Sequence, residues 1–241
     1  MQWIYLSPHL DDVALSVGGI VWEQVRRGDR VAIWTICAGD PPPGPLSPFA
    51  ASLHARWQVG REALAVRRAE DIHSCQALGA DFRHFEVPDC IYRRSPLTGE
   101  HLYASEEALW VAVHPAEAAL VDQISAWLGA AQRPDLQWVC PFSLGQHVDH
   151  RLTRLAAERA QLPLWFYADY PYILQAGAAW PPSGLAATSW AVGAAGLLAW
   201  QQAVAAHSSQ ISTFWADLDE MRAAIADYAA AGVQLWCGPE R

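Results

Sequence analysis

Pro8-His9-Leu10-Asp11-Asp12-Val13, close to the N-terminus, is the stretch that decides how this chain folds. The run before it, Trp3-Ile4-Tyr5-Leu6, predicts a buried strand, and a helical pattern begins at Val13. A histidine and two adjacent aspartates therefore stand in a strand-to-helix loop, at the carboxyl edge of a predicted parallel sheet. Open α/β sheets keep their ligands at that edge. Imidazole and carboxylate are the usual ligands of a catalytic zinc, and a spare carboxylate can act as a base. Far downstream, His147-Val148-Asp149-His150 offers the same chemistry after another predicted strand. Two such clusters at equivalent places predict one metal site built from both.

The rest of the chain alternates in the same way. Val13, Val17, Ile20, Val21 and Val25 recur at helical spacing, and Arg26-Arg27-Gly28 supplies a basic last turn and a stop. Residues 31–37 predict a second buried strand, and the proline-rich residues 41–48 a long loop that can wall or cover a site. A helical region over 52–78 closes at Gly79, and 82–87 predicts a third strand. Residues 92–115 form an irregular excursion, 116–130 an amphipathic helix, and 136–140 a fourth strand. The His147 cluster opens a helix to about residue 160, and 164–167 predicts a fifth strand. The alanine-rich last third is mostly helical and ends in a short strand over 233–236. This alternation predicts one α/β domain over residues 1–241. Its sheet is mostly parallel and Rossmann-like, with helices on both faces.

Composition narrows the function. With 52% hydrophobic residues in 241, a large core is available and global disorder is excluded. A formal net charge of −9 argues against non-specific binding to nucleic acid or anionic membranes. No apolar run approaches the roughly 20 residues of a membrane span. No basic segment followed by an apolar one marks a secretory signal. Five widely spaced cysteines without a Cys-x-x-Cys pair fit reduced thiols and predict a cytoplasmic protein. A homo-oligomer is left open. The thirteen tryptophans are scattered and are expected mainly to pack.

His9 and Asp12 lie three apart across a turn, so their side chains can converge on one point. One member of the His147/His150 pair completes three protein ligands and leaves a coordination position for water. A zinc there lowers the pKa of that water to about 7 and polarises a substrate carbonyl. Asp11 can take the proton, and the second histidine can supply charge or a proton opposite it. Asp149 can orient a histidine from behind. Taken alone, Asp11 and Asp12 could cap the helix, and a single His-x-x-His is weak evidence. Together the clusters are harder to dismiss, because adjacent uncompensated acids beside a core strand are costly.

These motifs resemble the LmbE-like (PIG-L) family of zinc-dependent N-deacetylases. That family's His-Pro-Asp-Asp-Glu followed by Gly-Gly corresponds to His9-Leu10-Asp11-Asp12-Val13 with Gly18-Gly19. Its His-x-Asp-His corresponds to His147-Val148-Asp149-His150, and its Arg-x-x-Glu helix to Arg67-Arg68-Ala69-Glu70 followed by Leu78-Gly79. The resemblance implies one zinc per chain, held by His9, Asp12 and His150, with Asp11 as general base. It implies that His147 stabilises the tetrahedral intermediate and assists amine departure, with Asp149 tuning it. It also implies that Asp89 and an arginine of the pair Arg67/Arg68 line the substrate pocket. The implied substrate is a small N-acetylated sugar or glycoconjugate of the N-acetylglucosamine type. Leu10 and Val13 depart from the motif, and both bear on substrate choice more than on chemistry. Gly18 and Gly19 inside a helix cost roughly 1 kcal/mol each relative to alanine, which predicts close approach of that helix to the sheet or a loop.

Other functions are weighed on the same residues. A dinucleotide-binding domain would carry Gly-x-Gly-x-x-Gly after the first strand, where this chain has two acids that repel phosphate. A metal-binding accessory protein without turnover would lack a base or acid, whereas Asp11 and His147 are both present. A zinc hydrolase of another small amide or ester stays open. Of the remaining histidines, only His54 and His101, in or beside loops, are pocket candidates.

Overall fold

Trp3 and Tyr5 of strand β1 (Gln2–Ser7) pack on one face of the sheet, Ile4 and Leu6 on the other, and all four are buried. Burial on both faces is the mark of a strand inside a sheet covered by helices. In the computed structural model, residues 1–57, 62–177 and 180–238 are described. Strand β1 pairs in parallel with β2 (Arg30–Thr35) on one side and β4 (Leu136–Pro141) on the other. Parallel pairing continues from β2 to β3 (Asp81–His84) and from β4 to β5 (Leu164–Tyr167). Strands β6 (Ala186–Trp190) and β7 (Val233–Cys237) extend the far edge antiparallel, giving the order β3-β2-β1-β4-β5-β7-β6.

Helices α1 (Asp12–Arg26), α3 (Ala63–Leu78), α6 (Ala194–Ala206) and α8 (Leu218–Ala230) cover the face of Trp3 and Tyr5. The opposite face packs against α4 (Ala118–Ala131) and α5 (Val148–Arg159). The mostly parallel, two-sided α/β sheet predicted from the sequence is therefore present.

Several elements differ from expectation. The helical region over 52–78 contains α2 (Pro48–Arg56) and α3, and residues 58–61 lie outside the described residues. Helix α2 begins early because Ser47 Oγ accepts from Ala50 N–H at 3.0 Å and Pro48 suits the first helical turn. The third strand ends at His84, and beyond it only isolated bridges join Cys37 to Glu86 and Gly39 to Pro88. Strand β6 was not expected, since its first four residues are exposed and small or polar. Gly18 and Gly19 face Trp200 of α6, and Gly19 also faces Val192 in the loop before that helix. A Cβ on either would lie 2.6 Å from the indole of Trp200, which crosses from α6. Trp200 Nε1 donates to the Ala14 carbonyl at 2.5 Å, so the glycines admit a side chain that ties α6 to α1.

The chain winds outward from β1 to β2 and β3, then returns through α4 to β4 on the other side of β1. At this reversal the loops after β1 and β4 diverge and open a crevice. Both histidine–aspartate clusters lie in those loops or open the helices that follow. An apolar cluster including Leu10, Leu53, Tyr92, Leu109 and Val148 roofs one side of the crevice.

Candidate metal and catalytic site

The turn from β1 into α1 is tied by its own polar atoms. Ser7 Oγ donates to the His9 carbonyl at 2.6 Å and accepts from Val13 N–H at 3.3 Å, while Asp12 Oδ2 accepts from His9 N–H at 2.7 Å. Asp11 stands at the start of α1, yet its side chain makes no capping bond. The helix therefore does not explain Asp11. Its carboxylate instead lies 3.5 Å from Arg67 Nη2.

His9 Nδ1 faces Asp12 Oδ2 at 3.2 Å, and His150 Nε2 faces Asp12 Oδ1 at 3.3 Å. Ligand atoms about 2.0–2.2 Å from a tetrahedral ion stand about 3.3–3.6 Å apart, so each histidine nitrogen is about as close to Asp12 as a fellow ligand would be, the two rings facing different oxygens of that carboxylate. The outer nitrogen of each ring is held by another acid. His9 Nε2 donates to Asp149 Oδ2 at 3.0 Å, and His150 Nδ1 donates to Asp169 Oδ1 at 2.6 Å. An acid behind each ring favours the proton on the outer nitrogen, so that each imidazole, once neutral, would turn its lone pair toward Asp12. His147 completes the group, with donor atoms of His9, His147 and His150 all within 4.8 Å of one another.

The loop after β4 delivers the second cluster. Ser143 and Gln146 adopt φ values of 62° and 63°, a left-handed backbone that non-glycine residues hold only under constraint. His147 then caps α5, its Nδ1 accepting from Asp149 N–H at 3.2 Å. The Asp149 carboxylate hydrogen-bonds His9, while it acts on His147 through its charge and its backbone N–H.

Electrostatics separate the two aspartates. Burial pushes the Asp11 carboxyl up to about 6, against the lowering influence of Arg67. Burial would also raise Asp12, but the charge of His150 and hydrogen bonds from both histidines hold it well below the carboxylate range. Burial would lower His150, yet Asp12 and Asp169 outweigh it and raise the imidazole to about 10. His9 is likewise raised, by Asp12 and Asp149 against its burial. His147 goes the other way, down to about 4, because it is buried and faces the charges of His9 and His150. The acids around His9 and His150 thus require positive charge between them, which protons or one divalent cation can supply.

A cavity of about 260 Å³ opens over this cluster, and His9, Asp11, Asp12, Arg67, Asp89, His147 and His150 all line it. Asp149 lies fully buried behind His9. Arg68 does not reach the cavity and is corrected here: it binds the Ala38 carbonyl and Asp40, each at 2.9 Å. Adjacent residues on a helix point about 100° apart, so only Arg67 faces inward. His54 sits behind the wall, its Nε2 2.5 Å from Tyr92 Oη, and His101 bridges to Arg94 in the excursion. Neither lines the cavity.

Other residues escaped the sequence reading. Asp169, just past β5, had a discoverable signal, since it lies at the same carboxyl edge of the sheet. Trp110 and Tyr172 separate the cavity from a larger one of about 640 Å³. Glu70 accepts from Ser208 Oγ at 2.7 Å and Ser209 N–H at 2.8 Å. It thereby fixes α7 (Ser208–Phe214), whose Gln210 and Phe214 line the site.

The crevice at the sheet reversal gathers three convergent imidazoles and a row of buried acids, a group of side chains that could hold a metal ion. The chain belongs to the PIG-L family, described as GlcNAc-PI de-N-acetylase, whose sequence pattern matches residues 4–161. It is 29% identical over 190 residues to the 2'-N-acetylparomamine deacetylase of Niallia circulans, covering 70% of this chain and 67% of that protein. The zinc-inhibited form of teicoplanin deacetylase Orf2 is similar over 98% of this chain and 97% of its own, at 27% identity and a TM-score of 0.84. The deacetylase Dbv21 of the A40926 pseudoaglycone aligns over 98% of this chain and 96% of its own, at 27% identity and a TM-score of 0.74.

Proposed function

We propose that this protein is a metal-dependent N-deacetylase that releases acetate from an N-acetylated sugar of the N-acetylglucosamine type, free or within a glycoconjugate. One observation carries it: Asp12 stands between His9 Nδ1 and His150 Nε2 at 3.2 and 3.3 Å, with the opposite nitrogens held by Asp149 and Asp169. His9, Asp12 and His150 would hold one zinc per chain. Bound there, the ion acidifies water and polarises the acetamide carbonyl.

The other roles fall to side chains in the cavity. Asp11 accepts the proton of the attacking water and is ionised above about pH 6. Arg67, 3.5 Å away, keeps that carboxylate from protonating at higher pH and orients it toward the cavity. His147 is neutral at pH 7, with Nδ1 engaged by Asp149 N–H, so its Nε2–H is free to donate to the developing oxyanion. A neutral imidazole donor replaces the protonated one that the sequence suggested. Proton delivery to the departing amine then falls to Asp11, which holds the proton it has just taken. Asp89 lines the cavity with Oδ2 3.7 Å from His9 Nε2, placed to accept from a sugar hydroxyl.

The family match and the deacetylases among the relatives support the reaction class. The adjoining 640 Å³ cavity gives room for the part of a glycoconjugate beyond its sugar ring. Buried free cysteines accord with a cytoplasmic location. Among the described residues, no helix is long and apolar enough to cross a membrane. A panel of N-acetyl sugars and their conjugates, assayed for released acetate, tests the proposal. Acetate should appear from at least one acetamido sugar, and release from simple esters alone would redirect it to another hydrolase class.

A further inference from the structure

Arg93 follows the short turn Cys90–Tyr92 and is buried at 6% exposure. Its guanidinium makes two ion pairs at once: Nη1 lies 2.6 Å from Asp149 Oδ1, and Nε meets the Glu117 carboxylate. Nη1 also donates to the Pro88 carbonyl at 3.1 Å. Glu117 is anchored in turn, since its second oxygen accepts from Tyr103 Oη at 2.6 Å and that hydroxyl accepts from His114 N–H at 2.8 Å. The guanidinium is therefore fixed from behind as well as in front.

Asp149 is reached from two sides. Arg93 occupies Oδ1, while Oδ2 accepts from His9 Nε2–H and Cys90 N–H, each at 3.0 Å. A free carboxylate can turn and exchange its oxygens, whereas one whose Oδ1 is ion-paired to an anchored guanidinium nitrogen and whose Oδ2 accepts two hydrogen bonds is held in one orientation. A neutral imidazole carries one proton on two nitrogens, so an acceptor fixed at Nε2 decides that Nδ1 keeps its lone pair.

We propose that Arg93 is a positioning residue of the metal centre: it clamps Asp149 in the orientation that accepts from His9 Nε2–H, and so leaves His9 Nδ1 aimed beside Asp12 as a ligand. This rests on the metal site proposed above. Lysine cannot replace it, because a single ammonium does not span Glu117 and Asp149 together.

The rival role is neutralisation of buried acid, for which any cation would serve. The two are separated by zinc dissociation constants from chelator competition, with melting temperatures as a check on folding. Wild type, Arg93→Lys, Arg93→Met, Asp149→Asn, the Arg93→Met/Asp149→Asn double variant and His150→Ala are compared. Arg93→Lys should stay folded yet bind zinc about 10–100-fold more weakly, the usual loss when a ligand's supporting partner is removed. Arg93→Met and Asp149→Asn should each lose a similar factor, and the double variant should bind no more weakly than the weaker single. If Arg93→Met does not fold, Arg93→Lys with Asp149→Asn supplies the same cycle.

Zinc binding by Arg93→Lys within about threefold of wild type would overturn the assignment, as would losses that multiply in the double variant. His150→Ala keeps the two levels apart. Undiminished zinc in that variant overturns the metal site and Arg93 with it. Loss of zinc in His150→Ala with none in Arg93→Lys overturns Arg93 alone.

Discussion

His150 donates its Nδ1 proton to Asp169, 2.6 Å away, and turns Nε2 toward Asp12 at 3.3 Å. Asp169 also accepts from Leu144 N–H at 3.2 Å through its other oxygen, which ties the loop after β4 to the same carboxylate. One buried acid therefore sets both a ring and the loop that carries the ring's neighbours. Asp169→Asn should weaken zinc binding or activity by about 10–100-fold. Chelator competition on the purified variant measures this, and an unchanged dissociation constant would remove Asp169 from the site.

Asp11 and Asp12 are neighbours in sequence and differ in surroundings. Asp12 is enclosed by two histidines, while Asp11 pairs with Arg67 and lines the cavity. Asp11→Asn should keep its zinc and lose a factor on the order of 10²–10⁴ in turnover. Metal analysis and kinetics on the same sample test both halves, and near-normal turnover would make another group the base.

The pH profile follows from the burial of Asp11. Its carboxyl, raised to about 6, must be ionised to accept a proton, so kcat/KM should rise with pH along an acidic limb no higher than about pH 6. A metal dication beside it can only lower that limb. Arg67 lowers the same group, so Arg67→Met should move the limb to higher pH. His147, held down near 4, stays neutral through this range. His147→Gln should therefore cut the rate by about 10²–10³, as loss of an oxyanion donor does, without shifting that acidic limb. A limb that disappears in that variant would restore a titrating role to His147.

Gly18 and Gly19 test the packing behind the site. A methyl group at Gly18 would press 2.6 Å from Trp200 Cδ1, inside any normal contact. Gly18→Ala should cost about 1–3 kcal/mol of stability, as overpacking of a core does, despite alanine's better helix propensity. Thermal or denaturant melts decide the sign.

Much of this was legible in the sequence for physical reasons. Trp3-Ile4-Tyr5-Leu6 reads as a strand because both its faces are apolar, and that placed His9, Asp11 and Asp12 at the sheet edge. The His147 cluster followed by the same logic from residues 136–140. What could not be read depends on long-range contact. Asp169 and Arg93 are single polar residues in irregular segments, and only the fold brings them to His150 and Asp149. Asp149 was expected to orient a histidine from behind, and only the fold shows that its carboxylate bonds to His9 across the sheet. Adjacent Arg67 and Arg68 looked equivalent until α3 turned one inward and the other to Asp40. Strand β6, short and exposed, has no periodic pattern to announce it.

The acids that surround His9 and His150 also predict how metal enters. Those imidazoles are raised in the metal-free protein, so binding must expel protons. Zinc affinity should therefore strengthen as pH rises between about 5 and 8, with proton release seen by calorimetry in buffers of differing ionisation enthalpy. Binding without proton release would place the ion elsewhere.

The central claim is that one metal ion at His9, Asp12 and His150 makes this chain a deacetylase. Stoichiometric reconstitution of chelator-stripped protein tests it most directly, with acetate release from a responsive N-acetyl sugar as the readout. Stripped protein should be inactive, and activity should climb with added zinc to a break at about one equivalent per chain, the stoichiometry of a mononuclear open site. His150→Ala should show no such break. Full acetate release by the stripped protein, or an unaltered titration in His150→Ala, would contradict the account.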